Sequence, residues 1–370
     1  MLSNLPQELI EFILVELDTD SLRACSLVSS PLFPPSQRLI FRSLVVSYAD
    51  IPKAQSLFAS ADHILHYCTG IFPPLIPSSR VFLTIKGRTV EWKDMTLPLH
   101  SALHALLDSA AVYSLNLAGI FDVPPSFILL ALSSFRRLGL YSITLDASEP
   151  DILERPGTLR TEQLTIRAPY EDSMKRIADV LLQDKSMPGY LDNIKQLTVG
   201  MHRAVKPESL RLIGAAANNL RCLHLRCGVF RTHIDLPHLP VLKVIELKLY
   251  LGFSVGLPQN LYTTIAAFPE TVPAIETLRL TFYGALPGRE DLVNDPAGCF
   301  PLFNDACAYR GRLPCLRRVH CNGWWDPANT TREKAEWADF SVYVESKFPG
   351  LRGTRILMIA AAREDQTTFD

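Results

Sequence analysis

Residues 220–225 have the sequence LRCLHL: one apolar residue, two variable ones, then two apolar residues flanking a third. In a strand, alternate side chains point to opposite sides, so the paired apolar residues face one way and the middle residue the other. The pattern predicts a short strand wherever it occurs. It occurs as VYSLNL (112–117), FRRLGL (135–140), TEQLTI (161–166), IKQLTV (194–199), LRCLHL (220–225), LKVIEL (242–247), IETLRL (275–280) and LRRVHC (316–321).

One segment with helical spacing of apolar residues precedes the first of these strands, several lie between strands, and one follows the last. They are SALHALLDSAA (101–111), SFILLALSSF (126–135), DSMKRIADVLLQ (172–183), PESLRLIGAAANN (207–219), NLYTTIAAF (260–268) and REKAEWADFSVYVESKF (332–348). Strands and helices that alternate in this way, with Leu-x-x-Leu-x-Leu on the strand, resemble the leucine-rich repeat. The resemblance implies an α/β solenoid with parallel strands inside and helices outside, each unit stacked on its neighbour.

The repeats are irregular. The Asn that usually follows the strand is absent, and its places hold Ile120, Ile143, Pro169, His202, Gly228, Tyr250, Tyr283 and Trp324. We expect the clear repeats to span about 112–325 and degenerate end units to include strands at 81–85 and 351–359. Another alternating α/β fold, such as a closed barrel, is the alternative.

The N-terminal segment, residues 4–44, is separate in character. Its spacing predicts three short helices, with Pro31, Pro34 and Pro35 breaking the chain before QRLIFRSL. The first helix has apolar residues on a much wider part of its surface than one packing interface requires. The segment is also too small to form a stable core alone, so we expect it to dock on something.

The order of residues here, LPQELI, then LRACSLVS and RLIFRSL, resembles an F-box of the type common in mushroom-forming fungi. The resemblance implies an F-box module at 1–45, a solenoid at 46–370 and binding to the Skp-type adaptor of a cullin-RING ubiquitin ligase. Where the family usually has Trp, this chain has Leu32. The residues that match the family's adaptor contacts are Leu5, Pro6, Leu9, Ile10, Ile13, Leu17, Leu22, Cys25 and Val28.

The function implied is that of a substrate-recognition subunit, which binds the adaptor through its N-terminal helices and a client protein through the solenoid. Such a subunit performs no bond chemistry of its own. The alternative is a repeat scaffold outside any ligase, in which residues 4–44 only cap the first repeat.

Client recognition is expected on the strand face that carries the middle residue of each Leu-x-Leu. These residues are Asn116, Gly139, Thr165, Thr198, His224, Glu246, Arg279 and His320. Their neighbours on the same face include Arg137, Tyr141, Arg167, Arg226, Lys248, Arg318 and Asn322. A mixed polar surface suits recognition of another protein, although an ordinary solvated strand face has the same composition.

Other classes of function find little support. Lys plus Arg number 37 and Asp plus Glu 38, which disfavours nucleic acid or an anionic membrane as partner. The eight cysteines lack the Cys-x-x-Cys spacing of structural zinc sites. No Gly-rich phosphate loop occurs, and Cys222-Leu-His224 lacks a third orienting group. We expect a non-enzyme without metal or cofactor, located in the cytoplasm or nucleus, since the N-terminus has no basic leader.

Overall fold

The protein is α/β, and every described strand pair is parallel. The computed structural model describes residues 6–40, 43–47, 81–95, 100, 103–104, 107, 112–148, 159–168, 170–182, 189–201, 207–227, 233–250, 257–283, 300–324 and 331–362. The chain divides into two compact units, residues 1–162 and residues 163–370. The predicted boundary at residue 45 stays a prediction.

In the described part of the first unit, three helices precede four strands, which pair in sequence order, and a fourth helix lies between the third and fourth strands. Its elements are α1 (Gln7–Val15), α2 (Thr19–Val28), α3 (Phe33–Ile40), β1 (Ser43–Ser47), β2 (Val81–Glu91), β3 (Val112–Phe121), α4 (Pro125–Ser134) and β4 (Arg137–Tyr141).

The three helices share a small core of their own. Ile10, Leu14, Leu22 and Leu32 are buried together, and Leu17, Cys25, Leu39 and Ile40 pack against them. The Asp18 side chain caps α2 by accepting a hydrogen bond from the backbone N–H of Ser21 at 2.7 Å. Leu32 is therefore a core residue of this segment.

The predicted bounds of the third helix were wrong. The helix begins at Phe33, contains Pro34 and Pro35 in its first turn and ends at Ile40. A proline in the first turn of a helix loses no hydrogen bond, because the first N–H groups have no intrahelical partner. Ser43 and Leu44 were expected to belong to this helix. They instead begin strand β1, which spans Ser43–Ser47.

The second unit continues the alternation with seven strands, also paired in sequence order. Its elements are β5 (Gln163–Ala168), α5 (Glu171–Leu181), β6 (Gln196–Met201), α6 (Pro207–Ala215), β7 (Cys222–Cys227), β8 (Val244–Tyr250), α7 (Gln259–Ala266), α8 (Phe268–Thr271), β9 (Thr277–Tyr283), α9 (Ala306–Arg312), β10 (Arg318–Trp324), α10 (Thr331–Ser346) and β11 (Leu357–Ala362). Consecutive parallel pairing within a unit is compatible with a solenoid.

The repeating sequence pattern explains the core. In β7 and β8 the paired apolar residues Leu223, Leu225, Ile245 and Leu247 are completely buried, and their equivalents in the other repeats are almost so. From Phe135 onward, the first residue of each pattern is also buried. Its one polar example, Thr161, donates hydrogen bonds to the carbonyls of Leu132 and Phe135. The buried hydroxyl of Thr161 therefore has hydrogen-bond partners inside the core.

Each repeat is tied to the next just before its strand begins. The carbonyl of Lys195 accepts the N–H groups of Arg221 and Cys222, at 2.8 and 2.9 Å, and the carbonyls of Arg221, Lys243 and Glu276 repeat this arrangement. The second residue of the pattern thus holds the following unit in register, which is why the strands start at the third residue.

The end units are confirmed as strands, with bounds that differ from the prediction. The expected segment 81–85 extends to Glu91, and the expected segment 351–359 begins only at Leu357. Among the described strands, β11 pairs with β10 alone. The sheet of the second unit therefore has a free edge there, which disfavours a closed barrel.

Candidate functional site

The predicted row of middle residues exists in the second unit. Strand register places Thr165, Thr198, His224, Glu246, Arg279 and His320 side by side on adjacent strands, and this set is here called the central row. Met358 of β11 continues it. The side chains of His224 and Glu246 are 18% and 12% exposed and Arg279 is exposed, whereas the leucines on the opposite side are fully buried.

In the first unit, Thr84, Asn116 and Gly139 form the corresponding row. The amide of Asn116 donates a hydrogen bond to the Thr84 hydroxyl at 3.2 Å. A side chain at Gly139 would collide with Asn116 and Tyr141, so only glycine fits beneath these two residues. Asn116 is therefore held by its neighbours on both adjacent strands.

A continuous hydrogen-bonded network crosses four strands at the middle of the central row. Nδ1–H of His224 donates to Oε2 of Glu246 at 2.6 Å, and Nε2 of His224 accepts from the Gln196 amide at 3.2 Å. The hydroxyl of Thr281 donates to Oε1 of Glu246 at 3.1 Å. Both oxygens of this nearly buried carboxylate are thus engaged by the protein itself.

The charge of Glu246 is stabilised by these partners and by Lys248, whose Nζ lies 3.6 Å from Oε1. Burial acts to raise the pKa of Glu246, but the hydrogen bond from His224 and the positive charge of Lys248 lower it to about 2. Glu246 is therefore ionised across the physiological pH range.

A second row lies two residues further along the same face. Register aligns Arg167, Gly200, Arg226 and Lys248 on β5 to β8, and this set is here called the basic row. Burial lowers the pKa of Lys248, and the charges of Arg226 and Arg167 act in the same direction. Three cationic side chains of the basic row are therefore close enough to repel one another.

The remaining candidates on this face lie towards β9 and β10. Burial lowers the pKa of His320, and the positive charges of Arg279 and Arg318 lower it further. The imidazole of His320 is therefore a neutral hydrogen-bonding group at neutral pH. Tyr250 and Tyr283 pack with their ring centroids 5.4 Å apart at the strand ends, next to Lys248 and Thr281.

Cys222 and Cys321 lie in the environment of unreactive thiols. Burial raises the pKa of both Cys222 and Cys321, which keeps these sulfurs protonated at neutral pH. Within the described residues, no three His, Cys, Asp or Glu side chains gather in a way that could hold a metal ion. Of the eight cysteines, Cys68 and Cys299 lie outside the described residues.

The N-terminal residues matched to adaptor contacts fall into two groups. Pro6, Leu9, Ile13 and Val28 are exposed. Ile10 and Leu22 belong to the core of the three helices, and Leu17 and Cys25 pack against it. Leu5 lies outside the described residues. On α1 the apolar residues thus divide between a face that packs inward and a face that does not.

Three further apolar residues, absent from the set matched to adaptor contacts, share this exposure. Phe12 and Leu27 are 72% and 85% exposed, and Val15 is 45% exposed. For Phe12 and Val15 the sequence carried a signal, because a helix α1 that is apolar on nearly all sides has to leave one side uncovered by its own short segment. Leu27 lies on α2 and had no such signal.

No helix in the described part of the chain is both long and apolar enough to cross a lipid bilayer. No protein-family model matches the chain, and no curated protein matches it either.

Proposed function

We propose that this chain is the substrate-recognition subunit of a Skp–cullin–F-box ubiquitin ligase. The N-terminal helices are the adaptor-binding F-box module, and the repeats form a leucine-rich solenoid that holds a client protein. The observation that carries the proposal is the set of exposed apolar side chains on α1 and α2, here called the apolar set. It consists of Leu9, Phe12, Ile13, Val15, Leu27 and Val28.

The spacing on α1 supports a docking face. Leu9, Phe12 and Ile13 are separated by three and four residues, so they lie on one side of the helix. The other side is already used, since Ile10 and Leu14 are buried against α2 and α3. A large apolar surface left uncovered on a protein usually marks an interaction site.

The energy available from this set suits a stable subunit contact. Burying about six apolar side chains at ~1.5–3 kcal/mol each gives roughly 9–18 kcal/mol before costs. Lost rigid-body freedom and ordering of side chains remove a large part of that total. These magnitudes leave a net affinity strong enough to hold two subunits together.

The alternative, a scaffold in which α1 to α3 only cap the first repeat, explains the apolar set poorly. A cap protects the end of the repeat core by burying its own apolar residues there. Phe12 and Leu27 instead expose most of their surface. This exposure favours a partner that is a separate protein.

The polar strand face supports the second half of the proposal. It presents polar side chains in register, most of them only partly exposed, over a fully buried leucine layer, which makes it a rigid surface for recognition. The chain itself would contribute no catalytic group. It would act by proximity, because holding a client beside the conjugating enzyme raises the effective concentration of client lysines.

The experiment that tests the proposal is affinity capture of the tagged full chain from a fungal cell extract, followed by identification of a Skp-type adaptor and a cullin. We expect both to be recovered, in the cytoplasmic or the nuclear fraction. Recovery of neither, from an extract in which a known F-box protein captures both, would contradict the assignment.

A further inference from the structure

The polar strand face has an unbalanced charge. Alternate residues of β5 to β10 place five basic side chains on this face: Arg167, Arg226, Lys248, Arg279 and Arg318. Among the described residues of these strands, Glu246 supplies the one carboxylate on this side. The whole chain, in contrast, has a net charge of -1. The positive charge is therefore concentrated on this face.

The basic row shows how three of these cations are brought together. An added Cβ at Gly200 would lie 2.9 Å from Cγ of Arg167 and 3.5 Å from Cβ of Arg226. The stem of Arg167 therefore lies over β6 in the space that a side chain at position 200 would fill. Because neighbouring strands are about 4.8 Å apart, one acidic group can reach Arg226 and Lys248 together.

Glu246 pairs with Lys248, so its single negative charge does not balance the three positive charges of the basic row. Its two oxygens already accept hydrogen bonds from His224 and Thr281, and Lys248 is only 3.6 Å from one of them. Arg226 and Arg279 form no ion pair with a carboxylate in the described part of the chain. Lys248 is partly desolvated, with a side chain that is 12% exposed, so an added anion would interact with it more strongly than in water.

From this geometry we propose that the basic row is an oxyanion-binding site that recognises an acidic segment of a partner protein. Its oxyanion comes from Asp or Glu side chains or from a phosphorylated residue, since arginine pairs with carboxylate and phosphate in the same bidentate way. The inference rests on the proposed client role of this face and names the chemistry of the client.

Nucleic acid is the less suitable polyanion for this surface. Duplex and single-stranded binders spread basic residues along a groove or across a whole domain. Here the cations occupy one strand face of a chain whose overall charge is nearly zero. Glu246 also sits among them, where it would repel a continuous phosphate backbone.

The test is fluorescence anisotropy of the purified full chain with four labelled probes. These are a short oligoglutamate, a Gly/Ser peptide containing phosphoserine, the same Gly/Ser peptide without phosphate, and a short oligothymidylate. We expect one or both acidic peptides to bind more tightly than the neutral peptide and to weaken as salt is raised. Which acidic peptide binds better identifies the source of the oxyanion.

Two variants and a matched control connect this binding to the basic row. Arg226→Gln and Lys248→Met should each weaken the acidic peptide about tenfold, the effect of losing one charge-assisted hydrogen bond. Lys175→Gln removes a charge from the exposed side of α5 and should leave binding unchanged. Thermal unfolding of each variant shows whether the fold is retained.

Equal binding of acidic and neutral peptides would overturn the proposal, as would wild-type affinity in both basic-row variants. Tighter binding of oligothymidylate than of either acidic peptide would also overturn it, in favour of nucleic acid. The assay contains no adaptor, so failure here leaves the adaptor capture intact. Failure of the capture likewise leaves the peptide result standing.

Discussion

An Ile13→Glu variant is expected to lose binding to the Skp-type adaptor and to unfold at nearly the wild-type temperature. Ile13 is half exposed in the free chain, so a carboxylate there remains solvated and costs little stability. In the complex the same carboxylate would be buried among apolar groups without a partner, which costs several kcal/mol. We expect adaptor affinity to fall by at least about a hundredfold, as measured by titration calorimetry.

A matched control is available on the neighbouring helix. Thr19→Glu adds the same charge at an exposed position in the first turn of α2, outside the apolar set, and should bind the adaptor normally. Equal loss of binding in both variants would point to charge alone and contradict the docking face. A large drop in unfolding temperature for Ile13→Glu would favour the cap interpretation instead.

A Glu246→Gln variant is expected to lower the free energy of unfolding by about 2–3 kcal/mol at neutral pH. The neutral amide keeps the shape of the side chain but leaves the partly buried Lys248 without its counter-charge. It also replaces the acceptor of the short bond from His224 with a weaker one. Urea unfolding of both proteins, followed by circular dichroism, measures the difference.

The pH dependence of this difference has a definite sign. Glu246 has a pKa of about 2 in the folded protein against an ordinary value of 4.5, so its contribution is complete above pH 4.5 and is lost as the pH falls towards 2. The wild type should therefore lose its advantage over Glu246→Gln progressively below pH 4.5. An advantage that stays constant across this range would contradict the assigned network.

Glu276→Gln provides the control for this prediction. Glu276 also pairs with a lysine, since Nζ of Lys243 lies 2.7 Å from its carboxylate, but this pair lies at the exposed start of the strands. Exposed ion pairs contribute little to stability. The control should therefore change unfolding much less than Glu246→Gln does.

The repeat pattern predicted the second unit well because it encodes burial directly. Each of its three apolar positions is buried, and the carbonyl of the residue after the first holds the next strand in register. Thr161 departs from the pattern without disturbing it, because its hydroxyl finds two carbonyl acceptors. Once register was fixed, the alignment of the central row followed.

The site itself could be predicted only as a row of residues. The bonds from Gln196 through His224 and Glu246 to Thr281 join four repeats, so they depend on side-chain conformations that no local pattern encodes. In the N-terminal segment the difficulty was the reverse. An α1 with apolar residues on nearly every side has no polar face to show which of Leu9 and Ile10 points inward.

The third helix illustrates a different limit of sequence patterns. Proline is usually a helix breaker, and Pro34 and Pro35 suggested a start after them. The helix instead begins at Phe33, where the prolines occupy first-turn positions that need no donor. Where a proline lies in a helix, rather than its presence alone, therefore decides whether the helix can include it.

The most direct test of the adaptor-binding claim is size-exclusion chromatography with light scattering on the purified full chain mixed with a purified Skp-type adaptor. Our account predicts a single species with the mass of one copy of each protein, and separate peaks when the Ile13→Glu variant is used. Separate elution of the wild-type chain and adaptor at concentrations above the micromolar range would contradict it.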